Sequence, residues 1–389
     1  MKSKILLLLS GVFVTSATLH ADVRLPALFS DGMCLQADHP VPVWGEAEPG
    51  EKISLSFADH HAETVADQSG RWKVVLGCLA ANDKPDVMTV SGRNTLTVSN
   101  VVVGSVWVCS GQSNMEFGMS RLKEKEEIAK SSHPNLRIFI VKRNVAFDPV
   151  RDVTVADTKE DLAGKWVEAG PDTIIRGGWG GFSAVGYFFG RDLLEATGRP
   201  VGMIESSWGG TRIASWISRD MLQKNTALNP LLKWIDGPKN AWPSQLEKFK
   251  REEAAFPELH RKWEQEVGPD YLKALADWQE LARRAEEEKK PVPPKPKPPK
   301  LEPKLEEPKL KQNMPTGLYN GMIAPLLPYA IEGVIWYQGE SDQDDPIGYR
   351  ERFRSLIADW REHWGQGDFP FLFVQLANYR QRQAAPSES

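Results

Sequence analysis

The chain has 389 residues, enough for two or three domains with buried cores. Hydrophobic residues make up 41% and charged residues 26%; Lys plus Arg number 48 against 52 Asp plus Glu, a formal net charge of −4. These values exclude collagen-like, wholly disordered and polytopic membrane classes, and they lack the basic excess that a nucleic-acid partner leaves.

The N-terminus carries Lys2 and Lys4, an apolar run from Ile5 to Leu9, and small residues ending at Ala21. This pattern predicts a secretory signal peptide over residues 1–21 and a secreted or periplasmic mature protein. The alternative, an uncleaved anchor, has too short an apolar run, and no later segment is apolar for 18 residues, so no membrane partner is expected after cleavage. Cys34, Cys78 and Cys109 give no disulfide framework. A Cys34–Cys78 pair is conceivable in an oxidising compartment, and Cys109 reads as a small core residue.

Residues 22–103 read as short strands, including 41–45, 52–57, 72–76 and 94–98, separated by turns such as Glu48-Pro49-Gly50 and Ser91-Gly92-Arg93. That spacing predicts a small accessory β-sandwich. From Val101 to Val108 the texture becomes continuously apolar, the pattern of a buried parallel strand. Runs at 137–141, 200–204, 333–337 and 370–374 repeat it. Helical periods lie between them: one begins at Tyr187 and stops at Gly198, another runs from Tyr349 to Trp364 and stops at Gly365. The alternation predicts an α/β fold, a three-layer α/β/α parallel sheet spanning 104–380. Residues 240–312 interrupt it. This charged segment is helix-like first and rich in Pro and Lys from Pro291 to Pro308, which predicts a solvated excursion.

The most informative stretch is Val106 to Met115, where a buried strand runs into Ser110-Gly111-Gln112-Ser113-Asn114. A serine at the carboxyl end of such a strand sits where open α/β sheets place ligands, and backbone N–H groups there can face a developing oxyanion. The residues alone leave two readings open, a nucleophile on a strand-to-helix turn or a polar turn. Met115 rules out the Gly-x-Ser-x-Gly elbow.

Gly111-Gln112-Ser113-Asn114-Met115 resembles the first block of the sialate O-acetylesterase family, within the SGNH/GDSL hydrolase superfamily. Ile204 to Thr211, followed by Ala214-Ser215-Trp216, resembles its second block, and Trp336 to Asp342 its third. The similarity covers about residues 22–240 and 313–380. The resemblance implies an SGNH-like fold and a serine esterase that removes O-acetyl groups from a carbohydrate. Sialate is the first substrate it suggests and acetylxylan the second. It makes Ser113 the nucleophile, and the N–H groups of Ser113 and of Gly209 or Gly210, with the Gln338 amide, the oxyanion donors. Glu340 is either the partner of a catalytic histidine or a carboxylate that holds its loop.

One expected element is absent from the sequence. The family pattern places Asp-x-x-His-Pro near the C-terminus, and none of His20, His39, His60, His61, His133, His260 and His363 stands in Asp-x-x-His. The chain therefore reads as C-terminally incomplete, with a non-catalytic carbohydrate-binding protein on the same scaffold as the alternative. No cofactor or metal is expected: Cys-x-x-Cys is missing, and Asp342, Asp344 and Asp345 lack the further oxygen ligands and turn glycine of a calcium loop, so they read as solvated. Arg212 reads as a contact for a substrate carboxylate or as half of an ion pair. The sequence leaves the oligomeric state unknown.

Overall fold

The computed structural model describes residues 22–297 and 304–377, so the expected signal peptide lies outside the described residues. The fold is mixed α/β around a large, mostly parallel sheet. In that sheet the strand Thr95–Gly111 is flanked on one side by Val201–Ser207, His133–Ile140 and the antiparallel Trp166–Ala169, and on the other by Gly333–Tyr337 and Phe371–Phe373. All five continuous apolar runs of the sequence are parallel strands of this sheet.

Period-two alternation sorts these strands onto two cores. Val106, Val108, Phe139, Ile204 and Trp336 point into one hydrophobic cluster; Trp107, Cys109, Ile138, Met203 and Ile335 point into the other. The first cluster takes in Leu356, Trp360 and Trp364 from the helix Pro346–Trp364, the second Ala184 and Tyr187 from the helix Ala184–Thr197. Both faces are covered, which is why these strands read as unbroken apolar runs. Both helices are capped by side chains that satisfy first-turn N–H groups lacking a partner within the helix. Ser183 accepts from Gly186 and Asp345 from Gly348, while Gly198 and Gly365 end the helices in the left-handed conformation at φ 66°.

Towards the N-terminus, Pro40–Glu46 and Arg71–Cys78 form an antiparallel pair, and His60–Val65, Lys52–Phe57 and Asn82–Ser91 lead into the first half of Thr95–Gly111. That strand is 17 residues long and belongs to both parts, so the expected boundary at 103/104 falls inside it. Cys34 and Cys109 are buried and Cys78 is exposed; all three are free, which corrects the conceivable Cys34–Cys78 pair. Cys34 is locked in the strand Cys34–Gln36 against Val102.

The interruption begins earlier than its composition indicates, with a helix over Lys233–Val267 that admits Pro238, Pro243 and Pro257, and continues in Pro269–Glu287. The described part of the Pro-Lys segment has no regular secondary structure. It runs back along the second helix, where Trp278 Nε1 donates to the Pro293 carbonyl at 2.7 Å. No helix among the described residues is long and apolar enough to cross a membrane.

Candidate active site

The first of the parallel strands stands between the third and the fourth, so the chain winds away from Thr95–Gly111 in both directions. A crevice opens at the carboxyl end of a strand at such a switch point. Gly111, Ser207 and Tyr337, the last residues of three neighbouring strands, are in register there. Gly111 has φ 141°, and a Cβ on it would lie 2.1 Å from the Tyr337 carbonyl oxygen, so only glycine fits this crossing. The Trp208 N–H donates to the Gly111 carbonyl at 3.1 Å and the Gln112 N–H to Tyr337 at 3.0 Å.

Ser113 follows, half-buried, as the first residue of the short helix Ser113–Glu116. Its hydroxyl has no hydrogen-bond partner among the described residues. Gly209 packs beside it: a Cβ there would sit 3.2 Å from the Ser113 Cβ. On the other flank Asn114 Nδ2 donates to Glu340 Oε1, and the Gln112 side-chain oxygen accepts from the Ser341 N–H at 3.2 Å. The structure thus brings Ser113, Gly209, Gly210, Gln338 and Glu340 to one end of the sheet from three distant stretches of sequence.

Two of the expected donors already have acceptors in this structure. The Gly209 N–H donates to Glu116 Oε2 at 2.8 Å. The Gln338 amine donates to the Thr211 carbonyl at 2.9 Å and to Asp342 Oδ2 at 2.7 Å, which uses both its hydrogens. The Ser113 and Gly210 N–H groups have no acceptor among the described residues. Gln338 instead braces the turn after Gly210 against the third block.

The sequence reading missed the buried carboxylates behind these contacts. Glu116 is held by Arg143, whose Nε donates to Oε1 at 2.7 Å, and it anchors Gly209. Its signal was present: a carboxylate three residues beyond Ser113, one helical turn away. Asp342 is buried, not solvated as expected, because the Ile213 N–H (2.9 Å) and Gln338 occupy its carboxylate. Burial raises its pKa above the usual carboxylate range. Asp344 pairs with Arg212 at 2.9 Å, the ion-pair reading of that arginine, and Asp345 pairs with Arg352 at 2.8 Å. Glu205 lies beneath the site, accepting from the Ser183 N–H at 2.7 Å and the Ser207 hydroxyl at 2.9 Å. Burial pushes its pKa up to about 8.

Glu340 keeps one uncommitted oxygen, since Oε2 is buried without a hydrogen-bond partner among the described residues. It lines a cavity of about 810 Å³ with Gln338, Tyr349, Phe353 and Phe373. The histidines stand elsewhere. His133 opens its strand at the amino end, opposite the crevice. His363 Nδ1 lies 3.0 Å from Asp359 Oδ1 on its own helix; that bond raises its pKa to about 9. His39, His60 and His61 lie among the N-terminal strands, and His260 on the long helix. Among the described residues no group of three or more His, Cys, Asp or Glu is arranged to hold a metal ion.

The arrangement presents a serine hydroxyl and unpaired backbone N–H groups at one end of the sheet, with a buried, unpartnered carboxylate oxygen of Glu340 in the adjoining loop; a nucleophile and oxyanion donors are two of the parts that acyl transfer uses. Comparisons with known proteins point the same way. The family described as "carbohydrate esterase, sialic acid-specific acetylesterase" matches residues 103–233 and 309–388. The chain is 29% identical over 360 residues to sialate O-acetylesterase of Mus musculus and 26% identical over 376 residues to that of Homo sapiens. These alignments take in 87% and 91% of this chain but 57% of either relative, so the chain spans little more than half their length. A solved structure of a carbohydrate acetylesterase from Xanthomonas citri is similar with a TM-score of 0.63 and 30% identity, covering 92% of this chain and 60% of that one.

Proposed function

The chain belongs to the carbohydrate esterase family of sialic acid-specific acetylesterases, and from that premise we propose that it removes O-acetyl groups from a sugar, sialate first, through a serine acyl-enzyme. The observation that carries the reading is the packing of Gly209 on Ser113 together with the Asn114–Glu340 bond, which joins the three blocks around one hydroxyl.

In this mechanism Ser113 Oγ attacks the acetyl carbonyl carbon and gives its proton to a general base. The N–H groups of Ser113 and Gly210 receive the negative charge on the carbonyl oxygen. The bond from acyl carbon to sugar oxygen then breaks, the sugar oxygen takes the proton, and acetyl-Ser113 remains. Water repeats the attack, releasing acetate and restoring the hydroxyl. Glu116 and Arg143 act indirectly, holding Gly209 so that the next N–H is presented. Glu340 orients the base. The resemblance implies a histidine for that base, in an Asp-x-x-His that these 389 residues do not contain. General-base help is worth ~10²–10⁴ in rate, so the chain is expected to turn over slowly by itself. The leader-like residues 1–21 support secretion.

The test is hydrolysis of p-nitrophenyl acetate and of O-acetylated sialic acid. The expected result is slow acetate release that Ser113→Ala abolishes and that added Asp-x-x-His sequence from a full-length relative accelerates. Equal rates for the chain and for Ser113→Ala would favour the carbohydrate-binding alternative.

A further inference from the structure

A groove of about 590 Å³ starts beside the Gly209–Gly210 turn and leads onto the helical interruption. Asn313 lies where it meets the site, donating from Nδ2 to the Gly210 carbonyl at 3.1 Å and accepting from the Arg212 N–H at 2.8 Å. Gln312 Nε2 donates to the Gly209 carbonyl at 3.3 Å. The opposite wall is one face of the helix Lys233–Val267. Trp234, Pro238 and Trp242 all line the groove, and their spacing of four residues keeps them on one stripe. Trp234 and Trp242 stand ~12 Å apart along the axis, at 1.5 Å per residue.

Trp234 is 61% exposed, the most exposed aromatic side chain among the large hydrophobics of the described residues. The Lys233 ammonium lies 5.4 Å from the centre of its ring, and Trp242, on the same stripe, meets Phe147 edge to face at 5.6 Å; two aromatic rings along one groove, bordered by polar groups, make a patch of the kind that marks a binding surface. The polar groups here are mostly cationic. Arg212, Arg352, Lys309 and Lys311 line the groove against a single acid, the buried and fully engaged Asp342. Asp344 neutralises Arg212 and Asp345 neutralises Arg352, whereas the exposed Lys309 and Lys311 have no acidic partner among the described residues. Local positive charge in a chain of net charge −4 selects an anionic ligand. Flat aromatic faces beside amide and ammonium donors suit sugar rings that carry carboxylates.

We propose that the groove formed by Trp234, Trp242, Asn313, Lys309 and Lys311 is a subsite for an acidic oligosaccharide, which seats the chain bearing the ester while its acetylated unit reaches Ser113. The proposal rests on the reading of the chain as a carbohydrate esterase, and it assigns the start of the helical interruption to substrate binding.

Binding separates this proposal from the catalytic one. The full chain carrying Ser113→Ala is titrated by calorimetry with a tetramer of sialic acid and with cellotetraose, its neutral counterpart. The acidic tetramer is expected to bind and the neutral one to bind at least roughly tenfold more weakly. Adding Trp234→Ala should weaken the acidic tetramer by roughly tenfold or more, Trp234→Phe by less, and Lys309→Gln with Lys311→Gln should reduce both its affinity and its salt dependence. Unaltered tetramer affinity in Trp234→Ala, or equal binding of the neutral tetramer, would overturn the proposal. Loss of esterase activity alone would overturn only the catalytic reading.

Discussion

Glu205 is a carboxyl group in the middle of a buried strand, and its environment sets how stability responds to pH. Its folded pKa, near 8, lies above the ordinary 4.5 because burial disfavours the anion. A raised folded pKa means that the contribution is complete below the unfolded value and is lost as pH rises through the folded one. Stability should therefore fall between about pH 4.5 and pH 8, and Glu205→Gln, which keeps an acceptor for the Ser183 N–H, should flatten that decline. Urea midpoints of both proteins at pH 5 and pH 8 check this; a parallel decline in the variant would remove Glu205 as the cause. At the same scale, the residues around Ser113 showed a polar turn at the end of a buried strand and left its role open between nucleophile and turn; the resemblance, not the local pattern, chose the first. The contacts of Glu116 and Gln338 were not legible in the sequence, because what they do depends on partners far along the chain. The Gly209 N–H that Glu116 binds lies 93 positions away, and the Thr211 carbonyl that Gln338 binds lies 127 away.

The elements repeat this contrast between local and distant causes. Apolar runs and glycine stops marked the five parallel strands around the crevice, though not the short parallel strand Cys34–Gln36, and the C-terminal ends of both flanking helices, since burial on two faces and left-handed caps are written in consecutive residues. Asp342 read as solvated because its neighbours are acidic, yet the turn after Gly339 folds it inward to the Ile213 N–H. The helix at Lys233 was hidden by its prolines, which local propensity counts against it. On the helix Pro346–Trp364, Trp360 is fully buried, donates from Nε1 to the Trp216 carbonyl at 3.0 Å and meets Trp336 edge to face. Trp360→Ala removes that packing and leaves the carbonyl unpaired. It should destabilise the protein by ~3–5 kcal/mol, measured by urea unfolding. A loss below ~1 kcal/mol would mean that this helix does not share the core of the sheet.

Over the whole molecule, the sheet supplies a rigid platform and the chain's excursions supply its surface. The strands fix three loops at one end, where the described contacts join Ser113 to Gly209 and Asn114 to Glu340. The helical interruption leaves the sheet beside those loops, so the part of the chain least like a core lies next to the part with the most chemistry. In the proposed mechanism Ser113 carries the acyl group. Mass spectrometry of the 389-residue chain after brief incubation with p-nitrophenyl acetate tests it most directly. One acetyl group is expected on the peptide that contains Ser113, and no adduct there in Ser113→Ala. Turnover without any acetyl group on Ser113, or a turnover-competent adduct on another residue, would contradict it.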